Sequence, residues 1–284
     1  MKLVRFGQPG KEKPGLIDAE GKIRDLSGVI PDLAGEYLTH KYLDKLARMR
    51  VSALPMVRGK PRLGSPVARP GHFVAVGLNY IDHAKEAGLP IPEEPVLFDK
   101  AANCISGPND PVMMPRDGLK LDWEVELGIV IGERASYVTE RAALKHVAGF
   151  CLANDVSERA FQLERGGNWV KGKSAPTFGP LGPWLVTPDE IPNVQRLKLW
   201  LDVNGQKRQR GSTKTMIFSV RKIVSYISNF MTLDPGDVII TGTPSGVALG
   251  MKPQRWLKPG DIVTLGADYL GEQTQEIVEF KPSK

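Results

Sequence analysis

Cysteine is scarce in this 284-residue chain, which contains only Cys104 and Cys151. Two cysteines cannot form a disulfide framework, and their spacing matches no zinc site. Long apolar runs are missing too, so no segment is predicted to cross a bilayer. The N-terminal segment reaches glycine and proline without the apolar stretch of a signal peptide. These absences predict a cytoplasmic protein without a membrane partner.

Acidic residues are outnumbered by basic ones: the chain has 38 Lys and Arg against 32 Asp and Glu, a net charge of +6. Nucleic-acid binding is nevertheless not predicted, because acidic residues are interspersed among the basic ones. The basic run at residues 207–210 also contains no aromatic side chain on which a base would stack. The modest positive field instead favours small anionic ligands.

The patterning of the chain predicts a mixed, β-rich α+β fold. Glycine (30) and proline (23) are frequent, which favours strands and turns over long helices. Residues 1–70 are predicted to form a small N-terminal α/β domain with a linker, and residues 71–284 a larger domain. Strands outnumber helices without regular alternation, which argues against a doubly wound sheet. The predicted strands are 3–6, 15–18, 22–25, 73–78, 123–131, 148–153, 181–186, 197–203, 236–241 and 261–265, and the predicted helices are 33–50, 81–87, 155–164 and 216–229.

The most informative motif is Asp-Trp-Glu-Val-Glu at residues 122–126, at the start of an apolar strand. Side chains at i and i+2 share one face of a strand, so Glu124 and Glu126 are expected side by side. Adjacent carboxylates repel unless they are protonated or bridged by a cation, and hard divalent ions prefer such oxygen ligands. The alternative is the solvated face of an edge strand.

A second motif places His83 and Glu86 three residues apart on a short predicted helix, where they share a face. A carboxylate beside an imidazole orients the ring and raises its basicity, as in a general base. The alternative is a solvated pair on a surface helix. The segment 81–92, bounded by glycine and proline, is predicted to act as a lid that brings this pair inward.

The third motif follows the predicted strand 148–153. The strand delivers Asp155 to the start of a predicted helix, on which Arg159 and Gln162 follow at i+4 and i+7 on the same face. Asp-x-x-Glu is also a helix-capping signature, so Asp155 is either a cap or a metal ligand, and the sequence leaves both open.

Two further segments carry polar groups. Lys173 lies in a glycine-bounded stretch before a predicted turn, where a lysine is usually solvated. Thr243 follows the predicted strand 236–241, in a turn whose N–H groups and hydroxyls can hold an anion or simply reverse the chain.

In this order the segments resemble the fumarylacetoacetate hydrolase superfamily, over about Phe73 to Glu276. The resemblance implies a β-roll catalytic domain. The matching pieces are Gly-Leu-Asn-Tyr-x-x-His-Ala-x-Glu (77–86), Pro-Val-Leu-Phe-Asp-Lys (95–100), Gly-Pro-Asn-Asp-Pro-Val (107–112), Glu-Val-Glu-Leu (124–127), Asn-Asp-Val-Ser-x-Arg (154–159), Gly-Lys-Ser (172–174) and Leu-x-Pro-Gly-Asp-Val-Ile-x-Thr-Gly-Thr-Pro-x-Gly-Val (233–247).

The resemblance also implies roles for individual residues. It implies Mg²⁺ or Mn²⁺ bound by Glu124, Glu126 and Asp155. It implies that His83 activates water while Glu86 orients it. Lys173 would stabilise oxyanion charge. The residues implied to position the substrate are Arg159, Gln162, Thr243, Tyr80 and Lys100.

The finer resemblance is to hydrolases of 2,4-diketo-3-deoxy sugar acids, such as the rhamnonate and fuconate derivatives. It rests on the opening Met-Lys-Leu-Val-Arg-Phe-Gly, on Arg24-Asp-Leu-Ser and on Leu270-Gly-Glu-Gln. It implies that a homodimer cleaves a substrate such as L-2,4-diketo-3-deoxyrhamnonate to pyruvate and a hydroxy acid. Oxaloacetate decarboxylation and ureidoglycolate lyase chemistry would use the same metal chelate. Pro176 departs from the aspartate that relatives usually carry near Lys173.

Overall fold

The computed structural model describes residues 1–86 and 88–281, and most of its regular structure is β-strand. The strands are β1 (Lys2–Phe6), β2 (Lys13–Ile17), β3 (Ile23–Asp25), β4 (Leu63–Gly64), β5 (Phe73–Gly77), β6 (Val96–Asp99), β7 (Ile105–Ser106), β8 (Val112–Met113), β9 (Leu121–Asp122), β10 (Val125–Ile131), β11 (Val147–Asn154), β12 (Ser157–Glu158), β13 (Gly179–Val186), β14 (Lys198–Val203), β15 (Gln206–Ser212), β16 (Val238–Ile240), β17 (Ile262–Ala267) and β18 (Gly271–Val278).

Helices are few and short, as predicted. The α-helices are α1 (His40–Ala47), α2 (Ile81–Glu86), α3 (Arg159–Leu163), α4 (Val170–Lys173) and α5 (Val220–Ile227). The 3₁₀ segments are Gly35–Leu38, Val51–Ala53, Ala102–Cys104, Ala143–His146, Pro188–Glu190, Val194–Arg196, Thr213–Thr215 and Ala248–Gly250. No helix in the described part of the chain has both the length and the apolar composition that crossing a bilayer requires.

The strands form two main sheets. The larger sheet runs in the order β3-β2-β1-β13-β11-β10-β16-β5-β6, with β4 beside β1 and β7 beside β13. The second runs β15-β14-β17-β18-β8, and β9 pairs with β12. The central strands β10 and β11 are buried along their whole length. Burial of both faces explains why their sequences read as continuous apolar runs rather than as alternating ones.

The first 70 residues extend the larger sheet. β1 pairs with β13 through Lys2 with Val186 and Leu3 with Leu185, and Leu3 belongs to the same apolar core as Ile129. The boundary expected near residue 70 therefore does not separate two sheets or two cores. Residues 87 and 282–284, which fall within the predicted helix 81–87 and the predicted second domain, lie outside the described residues.

Several predicted elements differ in extent from the observed ones. The predicted helix 33–50 is a 3₁₀ turn followed by the shorter α1, and the basic run 207–210 is part of strand β15. The predicted helix 155–164 begins only at Arg159. β15 is stabilised by its pairing with β14. Most of its residues are exposed or half-buried, so the sequence contains no apolar run from which this strand could be predicted.

Both cysteines are fully buried in the core. Burial raises the pKa of the Cys151 thiol to about 12, and burial is also the main cause of the raised pKa of Cys104. Since thiolate is the reactive form, and an unfolded cysteine ionises near pH ~8.5, neither thiol should react with Ellman's reagent in the native protein at about pH 8. Both should react in guanidinium chloride. Rapid labelling of native protein would contradict the buried placement.

Candidate metal centre and catalytic cavity

The register of β10 and β11 brings three carboxylates together. Val125 pairs with Asn154, and the Asp155 amide donates to the Glu124 carbonyl at 2.9 Å, so Asp155 lies across from Glu124. Glu126 follows two residues along the chain from Glu124. All three side chains are buried, and one ligand oxygen from each lies within 4.8 Å of the others. The predicted triad is therefore assembled by strand pairing.

These carboxylates have the chemistry that a hard divalent cation requires. Glu126 is buried and accepts a hydrogen bond from the Gly242 amide at 2.7 Å, but it forms no ion pair within residues 1–86 and 88–281. Burial, followed by the charges of Asp155 and Glu124, raises the pKa of Glu126 well above its usual range. A dication among the three oxygens would offset this repulsion, so the residues fit Mg²⁺ or Mn²⁺.

Two buried cationic side chains, Lys173 and Arg159, lie beside the triad. Lys173 Nζ donates to Glu124 Oε2 at 2.8 Å and to Asp155 Oδ2 at 2.6 Å, and Arg159 contacts the other oxygen of Glu124. Burial opposes ionisation of Glu124, yet the charges of Lys173 and Arg159 prevail and lower its pKa well below the usual range. Burial likewise opposes the charged form of Lys173, but Asp155 and Glu124 raise its pKa. Both cations stay charged at neutral pH.

Lys173 is placed by a helix rather than by the loop expected from sequence. It ends α4, which packs against α3 at Gly172, where an added Cβ would lie 2.5 Å from the Cβ of Gln162. Only a residue without a side chain permits this approach. Pro176 is exposed beyond α4, in a turn closed by the Phe178 amide on the Ala175 carbonyl at 3.1 Å. The departure from the usual aspartate therefore leaves the Lys173 contacts intact.

Asp155 does not cap the following helix. The N-cap of α3 is Glu158, whose side chain accepts from the Ala160 amide. Asp155 instead receives two ammonium groups: Lys173 on one oxygen and Lys100 on the other, at 2.6 Å each. The capping alternative is wrong because α3 begins four residues later than the sequence suggested.

Lys100 is also placed differently from its predicted role. Its ammonium is buried, and besides Asp155 it donates to the backbone carbonyls of Lys173 and Val156. Neither Lys100 nor Tyr80 is among the described residues that line the cavity. Lys100 therefore stabilises the positions of Asp155 and of α4, and it does not line the cavity where the substrate would bind.

Asp122 also supports the site, although no role for it was predicted from the sequence. Its carboxylate accepts from Arg159 Nε at 2.8 Å and from the amides of Ala248 and Leu249 at 2.7 and 3.1 Å. It thus holds the guanidinium of Arg159 and the turn after Thr243 in one place. The signal available in the sequence was the third carboxylate of the alternating run 122–126.

Arg159 and Gln162 contact each other on α3, as their spacing predicted, and both line the cavity. Gln162 Oε1 accepts from Arg159 Nη1 at 2.9 Å. A guanidinium has five N–H donors, and three of those on Arg159 are used by Asp122, Glu124 and Gln162. Thr243 also lines the cavity, but its hydroxyl already donates to the Val125 carbonyl at 2.9 Å and accepts from Gln209 Nε2 at 2.7 Å.

The predicted contact between His83 and Glu86 is present on α2. His83 Nδ1 lies 3.2 Å from Glu86 Oε2, and both residues line the cavity. The Gly246 amide donates to Glu86, and the Ser245 hydroxyl donates to Asp82 at 2.9 Å, so α2 is docked onto the 245–246 turn. Since Glu86 occupies Nδ1, the Nε2 atom of His83 is the ring nitrogen available to a reacting water.

This docking depends on a close approach at Gly250, where an added Cβ would lie 2.3 Å from Glu86 Cδ. We therefore expect Gly250→Ala to displace the His83–Glu86 pair and to lower kcat by about 10-fold or more, because misplaced catalytic groups lose rate steeply. The matched control is Gly28→Ala, where an added Cβ has no neighbour within 4 Å. Steady-state rates and thermal unfolding of both variants test this, and an unchanged kcat in Gly250→Ala would contradict it.

The cavity that these residues line has a volume of about 720 Å³. At one place its wall contains the carboxylate triad, Lys173 and Arg159, and α2 contributes His83 and Glu86. A base, a carboxylate cluster and two cations thus face one cavity. The arrangement can bind an anionic chelating ligand and activate a water beside it.

Comparison with known proteins gives consistent matches. The family model for the C-terminal domain of fumarylacetoacetate hydrolase matches residues 72–278. A protein of Burkholderia cenocepacia, whose name specifies only a hydrolase, is 55% identical over 276 residues, which is 97% of this chain and 98% of that one.

Solved structures match over nearly the whole chain. Fumarylacetoacetate hydrolase from Exiguobacterium antarcticum is 36% identical with a TM-score of 0.87, and the match covers 99% of this chain and 100% of that one. Maleylpyruvate hydrolase from Sphingobium sp. SYK-6, in complex with manganese(II) and pyruvate, is 26% identical with a TM-score of 0.83 and the same coverage. The predicted β-rich fold is confirmed.

Proposed function

Because the chain belongs to the fumarylacetoacetate hydrolase family, we propose that it is a metal-dependent hydrolase that cleaves a carbon–carbon bond of a 2,4-diketo acid. The products are pyruvate and a carboxylic acid. The observation that carries the proposal is the presence of the His83–Glu86 pair and the carboxylate triad in one cavity. Mere binding of an acid requires no oriented base.

The reaction adds one water to the diketo acid. The water oxygen bonds to C4, the bond between C3 and C4 breaks, and its electron pair stays on C3, which takes up a proton to become the methyl group of pyruvate. Glu124, Glu126 and Asp155 would hold Mg²⁺ or Mn²⁺, which supplies Lewis-acid stabilisation of developing oxygen charge when bound. His83 Nε2 takes the proton from the attacking water, while Glu86 keeps the ring oriented.

The cations of the site act on the charge of the substrate. Lys173 and Arg159 are held charged by their carboxylate partners, so they remain available to stabilise anionic oxygens. Two N–H donors of Arg159 are left for the substrate carboxylate, and the NH₂ group of Gln162 adds a further donor beside it. These contacts position the substrate with C4 facing His83.

A second candidate reaction uses the same binding mode. Decarboxylation of oxaloacetate needs charge stabilisation but no activated water, and ureidoglycolate lyase chemistry also stays open. The His83–Glu86 contact favours hydrolysis, because neither residue is needed to stabilise an enolate. The homodimer, the cytoplasmic location and the sugar-acid substrate remain predictions.

The proposal is tested by a panel of 2,4-diketo acids with Mg²⁺, in which pyruvate is measured by coupling to lactate dehydrogenase. We expect turnover of at least one member and slower or no release of CO₂ from oxaloacetate. Rapid decarboxylation with no pyruvate from any diketo acid would favour the second candidate.

A further inference from the structure

We infer that the group carried on C4 of the substrate is apolar or aromatic, and that Trp169 with Phe98 recognises it. This inference rests on the proposed function, since it concerns the end of the diketo acid that leaves as the carboxylic acid. It departs from the sugar-acid expectation, which places a hydroxylated carbon next to C4.

The aromatic wall begins beside the charged centre. Lys173 Nζ lies 5.4 Å from the centroid of the Phe98 ring, and the Phe98 ring meets the Trp169 ring edge-to-face with centroids 5.1 Å apart. Both rings line the cavity. A substrate that reaches Lys173 with its oxygens therefore has this pair next to it.

The wall is a built feature of the fold. Trp169 packs directly against Gly77, where an added Cβ would lie 2.7 Å from the indole ring. Gly77 ends β5, and β6, which carries Phe98, is the neighbouring strand, so Phe98 comes from the sheet edge and Trp169, just before α4, packs onto that edge. A fixed aromatic surface loses little entropy when it binds a planar or apolar group.

The rest of the wall away from the metal centre adds apolar side chains. Leu89, Leu163, Leu249 and Met251 line the cavity, and Leu89 and Leu163 are each 48% exposed. Exposed leucines at a cavity wall leave apolar surface that a ligand can cover, and its removal from water favours binding.

Polar groups that could recognise hydroxyls are few in the same wall. The Thr243 hydroxyl is paired with Val125 and Gln209, the NH₂ group of Gln162 is assigned to the substrate carboxylate, and Gln254 donates to the Leu249 carbonyl at 2.9 Å. Lys252 is the remaining charged group among the described lining residues, and it is exposed. A site that selects a hydroxylated group presents unpaired polar partners to it, because missing hydrogen bonds are what reject the wrong ligand. In this wall the Thr243 hydroxyl and the NH₂ group of Gln254 are already hydrogen-bonded within the protein.

The inference is tested by comparing four 2,4-diketo acids that differ only in the C4 group: methyl (acetopyruvate), phenyl (benzoylpyruvate), hydroxyethyl (2,4-diketo-3-deoxyrhamnonate) and a carboxylate-ended chain (succinylpyruvate). We expect kcat/KM for benzoylpyruvate to exceed each of the others by about 10-fold or more. Preference for the hydroxyethyl or carboxylate-ended acid would overturn the inference while leaving the proposed function in place.

Substitutions of Trp169 test whether the aromatic wall causes the preference for benzoylpyruvate. Trp169→Ala should lower the ratio of kcat/KM for benzoylpyruvate over acetopyruvate by about 10-fold, and Trp169→Phe should retain most of it. The matched control is Phe230→Ala, because Phe230 forms a similar edge-to-face pair with Tyr226, with centroids 4.9 Å apart, but does not line the cavity. An unchanged ratio in Trp169→Ala would overturn the role of the wall.

A binding measurement keeps the inference separate from hydrolysis. Calorimetric titration of the Mn²⁺-loaded protein compares 2-oxo-4-phenylbutanoate with 2-keto-3-deoxygluconate. We expect the phenyl compound to bind about 10-fold more tightly whether or not diketo acids are cleaved. Equal or weaker binding of the phenyl compound would overturn the inference, and absence of cleavage with tight phenyl binding would overturn only the proposed function.

Discussion

Glu126→Gln is expected to lower the affinity for Mn²⁺ by at least about 100-fold and to abolish metal-dependent turnover, because even partners of metal ligands contribute 10–100-fold. Glu126 is the buried carboxylate of the triad that forms no ion pair among the described residues, and burial with the neighbouring carboxylates raises its pKa, so it depends most on the metal. Glu124→Gln and Asp155→Asn should also weaken binding, but each additionally removes one of the two carboxylates that pair with Lys173.

When the metal is removed, the same substitution is expected to stabilise the fold rather than to impair the protein. Glutamine keeps an oxygen for the Gly242 amide and removes the repulsion, so in excess chelator Glu126→Gln should unfold at a higher temperature than the parent protein. A carboxyl whose folded pKa is raised binds more protons when folded. The metal-free parent should therefore lose stability as pH rises from about 4.3, the ordinary carboxyl value, through the raised pKa, and the variant should lose less.

Calorimetric titration with Mn²⁺ and thermal unfolding with and without chelator check both signatures. Glu276→Gln is the control, since Glu276 is an exposed strand carboxylate on β18. Unaltered Mn²⁺ affinity in Glu126→Gln, or full activity of the parent after exhaustive chelation, would refute the metal assignment.

His83→Ala is expected to lower the rate of carbon–carbon hydrolysis by about 10²–10⁴-fold, the usual contribution of a general base. Metal and oxalate affinity should be nearly unchanged, because His83 comes from α2 while Glu124 and Glu126 lie at the start of β10 and Asp155 follows the end of β11. Glu86→Gln should cost less, since it orients the ring without transferring the proton.

Single-turnover kinetics and oxalate titration test the role of His83. Any decarboxylation of oxaloacetate should suffer much less than hydrolysis in His83→Ala. His72→Ala provides the matched control, because the side chain of His72 is exposed. Hydrolysis that survives His83→Ala at the parental rate would show that water is activated elsewhere.

Short-range patterns predicted the reactive groups well. The i,i+3 spacing placed His83 against Glu86, because one helical turn determines that contact. The alternating carboxylates predicted proximity of Glu124 and Glu126, although β10 begins only at Val125. Their meeting with Asp155 depends on strand register, which the sequence indicated only through resemblance to a family.

Long-range contacts could not be predicted from the sequence. Nothing local indicates that β1 pairs with β13, about two thirds of the chain length away, or that Lys100 forms an ion pair with Asp155. The role of Asp122 depends on the amides of Ala248 and Leu249, which the chain brings near only through the sheet. Such contacts are set by topology, and neither propensity nor periodicity encodes it.

The central claim is most directly tested by following acetopyruvate with the purified protein by NMR, with Mg²⁺ and then with excess chelator. The account predicts that acetate and pyruvate appear in equal amounts as acetopyruvate disappears, that chelation stops their formation and that added metal restores it. Disappearance of acetopyruvate without pyruvate, or equal rates with and without metal, would contradict it.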